Sequence, residues 1–432
     1  MRWPRGLRSG GLLLLLVFLP SCGVLPLEFS SSPATSYERT QRVGVIGDDL
    51  DVESLLAAAS ASLDYYDSRG RRKRYSLGRD TYSAKQLRHS VEHFVELVRY
   101  TPTALLHQRL ADECRAYAPN EGARFTAYYE PVLEARSSRD ENFRYPVYTR
   151  PDELTRVELG RFFKGDKRLI HGKVKDGDLV PYLTREEIDG SRLLEGRDLE
   201  LAWVDDPVAL YFLHVQGSGR LRMEDGRVMR VNFSASNGLS YFSVGRWMLD
   251  NRVLGPGQGS SSAIRSWLTL NPEQRDGVLF RNPRYIFFRE VELADNQGPI
   301  GSLGVPLIGG RSIATDPSFV PPGALTYIIS RRPQLNDKGQ VASWRHFARF
   351  AFNHDTGGAI KGAGRADIYW GEGEKRGLEA GYMNEPGRMA VLLCGVQPRP
   401  ASPTRQAAVN ELGEVNWPYF KPLAPTVVAS AG

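Results

Sequence analysis

Between Asp51 and Tyr66 the apolar residues Val52, Leu55, Leu56 and Leu63 recur at helical spacing, and this pattern predicts a helix. A second helix is predicted from Ser83, where Gln86 completes a capping box and Leu87, Val91, Phe94, Val95 and Val98 share one face. A third amphipathic segment starts at Thr101-Pro102. The period then changes to two. Across Arg124 to Pro131, Phe125, Ala127 and Tyr129 alternate with Arg124, Thr126 and Tyr128, which predicts a strand with one polar face. Thr126, Tyr128 and Glu130 share that face and are candidates to line a groove, although Tyr and Thr are also ordinary strand formers.

Residues 132–295 mix short strands and helices. Thr184 and Glu187 form a second capping box, and Asp206-Pro207 starts a helix with proline at its tolerated first position. That helix runs into Leu213 to Arg220, where Gly217-Ser218-Gly219 lets a backbone or a sugar come close and Gln216 offers both donor and acceptor. His214 reads as structural. Glu224-Asp225-Gly226 reads as a hairpin turn. From Gly298 the texture becomes Gly/Pro-punctuated β-structure. Gly304 to Leu307, Arg311 to Pro317, Ile313 to Tyr327, Trp344 to Phe352 and Met389 to Leu393 predict short strands wound into a compact barrel. The Pro-rich stretch after about Val396 is expected to be mobile.

A length of 432 residues favours two domains over one. The net charge of +6 includes Arg2, Arg5 and Arg8, so the chain from Cys22 onward carries only +3, too weak a bias to argue for nucleic acid. Those arginines precede the apolar run Leu12 to Leu19, which is too short to cross a bilayer and suits a secretory signal. A basic run at Arg69, Arg71, Arg72, Lys73 and Arg74 reads as a solvated loop. Beyond Cys22 only Cys114 and Cys394 remain, which leaves one disulfide and two buried free thiols both open. No CxxC or HExxH pair occurs, and no metal or other cofactor is expected.

The densest candidate chemistry lies in Phe352 to Gly362 and Arg365 to Gly371, where Asp355 and Asp367 sit among glycines and apolar strand residues. An acid with little water around it titrates high, and a neighbouring carboxylate raises it further, as a general acid near neutral pH requires. Both aspartates beside glycine would equally serve as turn formers.

Arg311 to Pro317, Asp355 to Gly362 and Asp367 resemble the module named for three aspartates, here Asp316, Asp355 and Asp367. Together with Phe125 to Pro131, Pro181 to Arg185, Gln216 to Gly219 and Asn282 to Glu290, they resemble the membrane-bound lytic murein transglycosylase A family over residues 120–395. The resemblance implies a mainly β fold with flanking helices, in which a double-psi β-barrel of discontinuous segments carries an inserted second β-rich domain. The expected division is a signal peptide (1–21), a tether (22–45), helices and a first barrel segment (46–131), a substrate-groove insert (132–295), the catalytic barrel segment (296–395) and a mobile tail (396–432). Leu19 to Cys22 resembles a lipobox with an atypical Pro20, implying acylation of Cys22 and an outer-membrane, periplasm-facing lipoprotein of a Gram-negative-type bacterium. An ordinary signal cut nearby is the alternative.

The activity implied by the resemblance is cleavage of the β-1,4 bond between N-acetylmuramic acid and N-acetylglucosamine, leaving a 1,6-anhydro end without adding water. Asp367 matches the single acid and Asp355 its assistant. Thr126, Tyr128, Gln216, Gly217, Ser218, Lys361 and Asp316 are the expected substrate contacts. Expected partners are peptidoglycan glycan strands and a membrane reached through Cys22, with other cell-wall enzymes open. Ala127 and Glu130 depart from the family's first motif. Three rivals remain at this point: a hydrolase in which Asp355 or Glu130 activates water, a wall-binding barrel without catalysis, and an aspartic protease suggested by Asp355-Thr356-Gly357, which lacks a second such triplet within the chain.

Overall fold

The computed structural model describes residues 36–40, 47–70, 74–164, 168–255, 258–294 and 297–398. Six strands close into a barrel: β1 (Ala123–Glu130), β2 (Ser312–Thr315), β3 (Leu325–Leu335), β4 (Val341–Asp355), β5 (Arg365–Glu372) and β6 (Asn384–Cys394). Their order around the barrel is β6-β3-β4-β2-β5-β1, and β1 returns to β6 through Thr126 opposite Asn384. β2 lies parallel to β4, and β5 parallel to β1. Closure leaves the six strands no free edge, and it brings the β1 segment beside strands that follow it by more than 180 residues. The mainly β, double-psi fold expected from the sequence is the one observed.

Helices from the segment before β1 pack on the barrel and its flanking strand Cys114–Pro119: α1 (Val52–Asp67), α2 (Ala84–Tyr100) and α3 (Thr103–Glu113). Their starts follow local rules. Asp51 caps α1 by accepting from Ser54 N at 2.6 Å, and the Ser83/Gln86 capping box forms. Phe94 of α2 packs on Phe350 and Phe352 of β4, with ring centroids 4.9 and 6.5 Å apart. His354 of β4 is fully buried, with Nε2 2.9 Å from Ser62 Oγ of α1 and Nδ1 2.8 Å from Ser312 Oγ of β2, so one ring ties both α1 and β2 to β4. Cys114 and Cys394 face each other across antiparallel strands and are joined by a disulfide, so the free-thiol alternative drops out. By loop-closure entropy a bridge spanning 280 residues stabilises by roughly 5 kcal/mol.

Part of the expected tether is structured. Tyr37–Thr40 pairs with Cys114–Pro119, and Tyr37 is buried with its hydroxyl donating to Ala363 O at 2.6 Å. One aromatic anchor is enough to hold this short strand within a Ser/Pro-rich stretch. The signal, Cys22, residues 71–73 of the basic run and the tail beyond 398 lie outside the described residues.

The segment between β1 and β2 carries a second six-stranded sheet, ordered Ile286–Glu290, Val228–Ser236, Ser218–Arg222, Val132–Arg136, Glu200–Val204, Tyr145–Tyr148. Its hairpin turns at Gly226 with φ +84°. Helix α4 (Pro207–Gln216) is capped by Asp206 and ends at Gly217 with φ +80°. The Thr184/Glu187 box also forms, but it opens only a single wide turn, Glu186–Gly190. Arg185 lies inside the box, just before that turn, and is almost wholly buried. Its guanidinium lies between the rings of Tyr211 and Tyr285 at 5.0 and 5.1 Å and bonds Asp189, Asn282 O, Arg284 O and His214 Nδ1. Burial and the Arg185 charge hold His214 well below the usual histidine range, in keeping with its structural reading. Among the described residues no helix is long and apolar enough to cross a membrane, and no three His, Cys, Asp or Glu side chains gather as a metal site.

Candidate active site

Strand register brings the site together. Ala314 on β2 is the partner of Asp355 on β4 and of Asp367 on β5, Asp367 is the partner of Thr126 on β1, and Thr126 is the partner of Asn384 on β6. Residues in register face the same side of a sheet, so this row places both carboxylates on one face, with backbones two strand spacings or roughly 9.5 Å apart. Asp355 and Asp367 are half-buried, neither sealed in the core nor fully in water.

Their hydrogen bonds differ. Asp355 Oδ1 accepts from Ser302 N at 2.8 Å and Oδ2 from the Tyr128 hydroxyl at 2.9 Å. Asp367 Oδ1 accepts from the Thr126 hydroxyl, whereas Oδ2 has no protein partner and the carboxyl no ion pair among the described residues. Burial is the main cause that pushes both acids above the usual carboxylate range. For Asp355 the Ser302, Thr356 and Tyr128 donors oppose it. For Asp367 the Thr126 bond and the Arg365 charge oppose it, while the Asp355 charge adds to it. Burial and Asp355 likewise hold the Tyr128 phenol well above its ordinary range, so it remains a donor. The arrangement offers one acid with a free oxygen and one carboxylate whose oxygens are already held.

Residues 124–289 match the MltA specific insert domain, and residues 311–393 match the 3D domain. The crystal structure of a membrane-bound lytic murein transglycosylase from Agrobacterium tumefaciens is 32% identical, covers 83% of this chain and 98% of its own, and superposes with a TM-score of 0.69. This chain belongs to the membrane-bound lytic murein transglycosylase A family. The family member from Escherichia coli is 31% identical over 64% of this chain and 67% of its own. MltA from Neisseria gonorrhoeae, 28% identical, covers 81% of this chain and 92% of its own with a TM-score of 0.59.

The other expected site residues of this lytic transglycosylase family member divide into three groups. Thr126 and Tyr128 meet the two carboxylates, and Lys361 is exposed on the loop that joins β4 to β5. Gln216 accepts from Tyr129 N at 3.0 Å, so it sits where the insert meets β1, and Gly217 beside it has open space at its Cα. Ser218 is buried within its hairpin, and a Cβ on Gly219 would lie 2.4 Å from Leu213, so the close approach there is made by the protein's own side chains.

Two expected roles are corrected. Asp316 accepts from Ser318 N at 3.0 Å and Gly362 N at 3.1 Å and is buried, so backbone donors occupy both oxygens and it clamps the loop after β4 instead of presenting a ligand contact. Glu130 is buried under Arg220 at 2.9 Å and Arg230 at 3.2 Å, so it locks β1 to the insert and is unavailable to line a groove or activate water. Ser302 and Arg365 were missed. Arg365 had a visible signal, a cation two residues before Asp367 and therefore on the same side of a strand. Ser302 serves Asp355 with its backbone N–H and its side chain, from a loop more than 50 residues upstream where a lone serine carries no signal.

Proposed function

We propose that this chain acts as a peptidoglycan lytic transglycosylase in which Asp367 alone carries the proton through both halves of the reaction. Its family supports the activity, since the relatives from Agrobacterium tumefaciens and Escherichia coli are named lytic murein transglycosylases. The observation that carries the single-acid reading is the free Oδ2 of Asp367 beside an Asp355 with both oxygens engaged. A hydrolase requires a second carboxyl group free to act as base or nucleophile, and Asp355 is poorly suited to that task.

In the proposed sequence, protonated Asp367 gives its proton to the glycosidic oxygen, and the C1–O4 bond breaks with both electrons leaving on the N-acetylglucosamine hydroxyl. The C6 hydroxyl of N-acetylmuramic acid closes on C1, and its proton returns to Asp367. No water enters and the acid is regenerated. Asp355 stays ionised, stabilises the cationic character that develops at C1 and favours the protonated form of Asp367. Thr126, Tyr128, Gln216, Gly217 and Lys361 hold the glycan strand.

The test is digestion of purified sacculi by the chain lacking residues 1–22. Muropeptides one water lighter than reducing-end products are expected; reducing ends would favour the hydrolase, and binding without soluble product would favour the wall-binding barrel. Placement in the envelope follows from the same family. Attachment through an acyl group on Cys22 is the proposed route, and loss of membrane fractionation in Cys22→Ala would support it.

A further inference from the structure

We infer that Arg365 is a positioning residue that dictates which oxygen of Asp367 bears the catalytic proton, a role resting on the reading of Asp367 as the acid. Arg365 Nη2 lies 2.7 Å from Thr126 Oγ1. A guanidinium has only donors, so the Thr126 oxygen must accept there. Its single hydrogen is then left to donate, and it is aimed at Asp367 Oδ1. Oδ1 is thereby fixed as an acceptor, and the acid's own proton is confined to Oδ2, the oxygen without a protein partner among the described residues.

The relay is anchored. Arg365 Nη1 donates to Ala366 O at 2.7 Å and reaches Arg124 O at 3.5 Å, so the fork staples the parallel strands β5 and β1 where Asp367 and Thr126 pair. Without the guanidinium the Thr126 hydroxyl is free to reverse. It would then accept the Asp367 proton and hold it away from the sugar. Removing the cation also takes away a charge that favours carboxylate. Asp367 is faced by Arg365 on its own strand, Thr126 and Tyr128 on β1, and Asp355 on β4, while Arg124 on β1 faces Arg365. Of these, Arg365 is the one whose charge directly favours its ionised form.

The test compares wild type, Arg365→Gln, Arg365→Lys, Thr126→Val and Asp367→Asn on sacculi across pH, with thermal melting as the check on folding. Arg365→Gln should lower kcat roughly 10- to 100-fold with KM nearly unchanged, and it should move the alkaline limb of the pH profile to higher pH. Arg365→Lys, which restores the charge and one donor, should recover part of kcat. Thr126→Val cuts the relay without touching Arg365 and should lose a similar factor, which keeps the inference open to test if Arg365→Gln fails to fold. Normal kcat and an unmoved alkaline limb in a folded Arg365→Gln or Thr126→Val, beside an inactive Asp367→Asn, would overturn the positioning role alone. Activity retained by Asp367→Asn would instead remove the acid itself.

Discussion

Arg185 in the insert and Asp367 in the barrel are both ionisable groups drawn out of water, and their polar atoms are treated in opposite ways. In the insert, Arg185 has every nitrogen engaged, an acid beside it and aromatic rings on both faces. A guanidinium held in this way has no donor group left for chemistry. In the barrel, Asp367 is desolvated just as deliberately but keeps one oxygen unused, and its nearest cation reaches it through a threonine. The difference teaches where reactivity sits in this fold. Arg185, with every nitrogen engaged, positions its neighbours, and Asp367, with an oxygen to spare, is the proposed acid.

The comparison breaks most sharply at Asp367→Asn. Loss of a general acid should slow release of soluble muropeptides by about 10²- to 10⁴-fold, while the melting temperature at neutral pH rises. A carboxyl whose folded value is raised contributes stability below its ordinary range and loses it as pH climbs through the raised value, so replacing it removes a cost at pH 7. Next in size is Arg185→Met. It strands Asp189 and His214 without their shared partner and should cost the insert about 3–5 kcal/mol in denaturant unfolding, with activity falling only as far as the fold does.

A pH series separates the two kinds of group further. Burial depresses His354 from its ordinary 6.5 to about 3. The unfolded chain therefore binds a proton that the native state refuses, and stability should fall as pH drops through that window. His354→Gln should flatten the acid side of a melting-temperature profile, and an unchanged slope would remove this residue as the cause. The smallest effect is expected at Tyr128→Phe. Removing one of the donors on Asp355 should lower kcat about tenfold, the scale of one hydrogen bond to a charged group, and a steady-state assay on sacculi would read it.

Much of this was legible where the physics is local. Asp51, Ser83 and Asp206 announce their helices because a cap needs only the next three residues. Period two put Thr126 and Tyr128 on one face, where they meet the acids. Glu130 obeys the same period, yet its fate is set by Arg220 and Arg230, which reach it through strand pairings 90 and 100 residues away. The row that aligns Asp355 with Asp367 runs through Ala314, a residue without chemistry of its own, on a strand far upstream of both. Asp316 belongs to the same three-aspartate pattern, but backbone donors from its own turn and from Gly362 occupy it. Tyr37 shows the converse, order inside a composition that reads as tether.

Lysis of purified sacculi in heavy-oxygen water, followed by mass spectrometry of the newly formed muramic acid ends, tests the water-free ring closure most directly. 1,6-Anhydro ends that carry no heavy oxygen are expected. Heavy oxygen at C1 of the new ends would contradict that closure and make the enzyme a hydrolase.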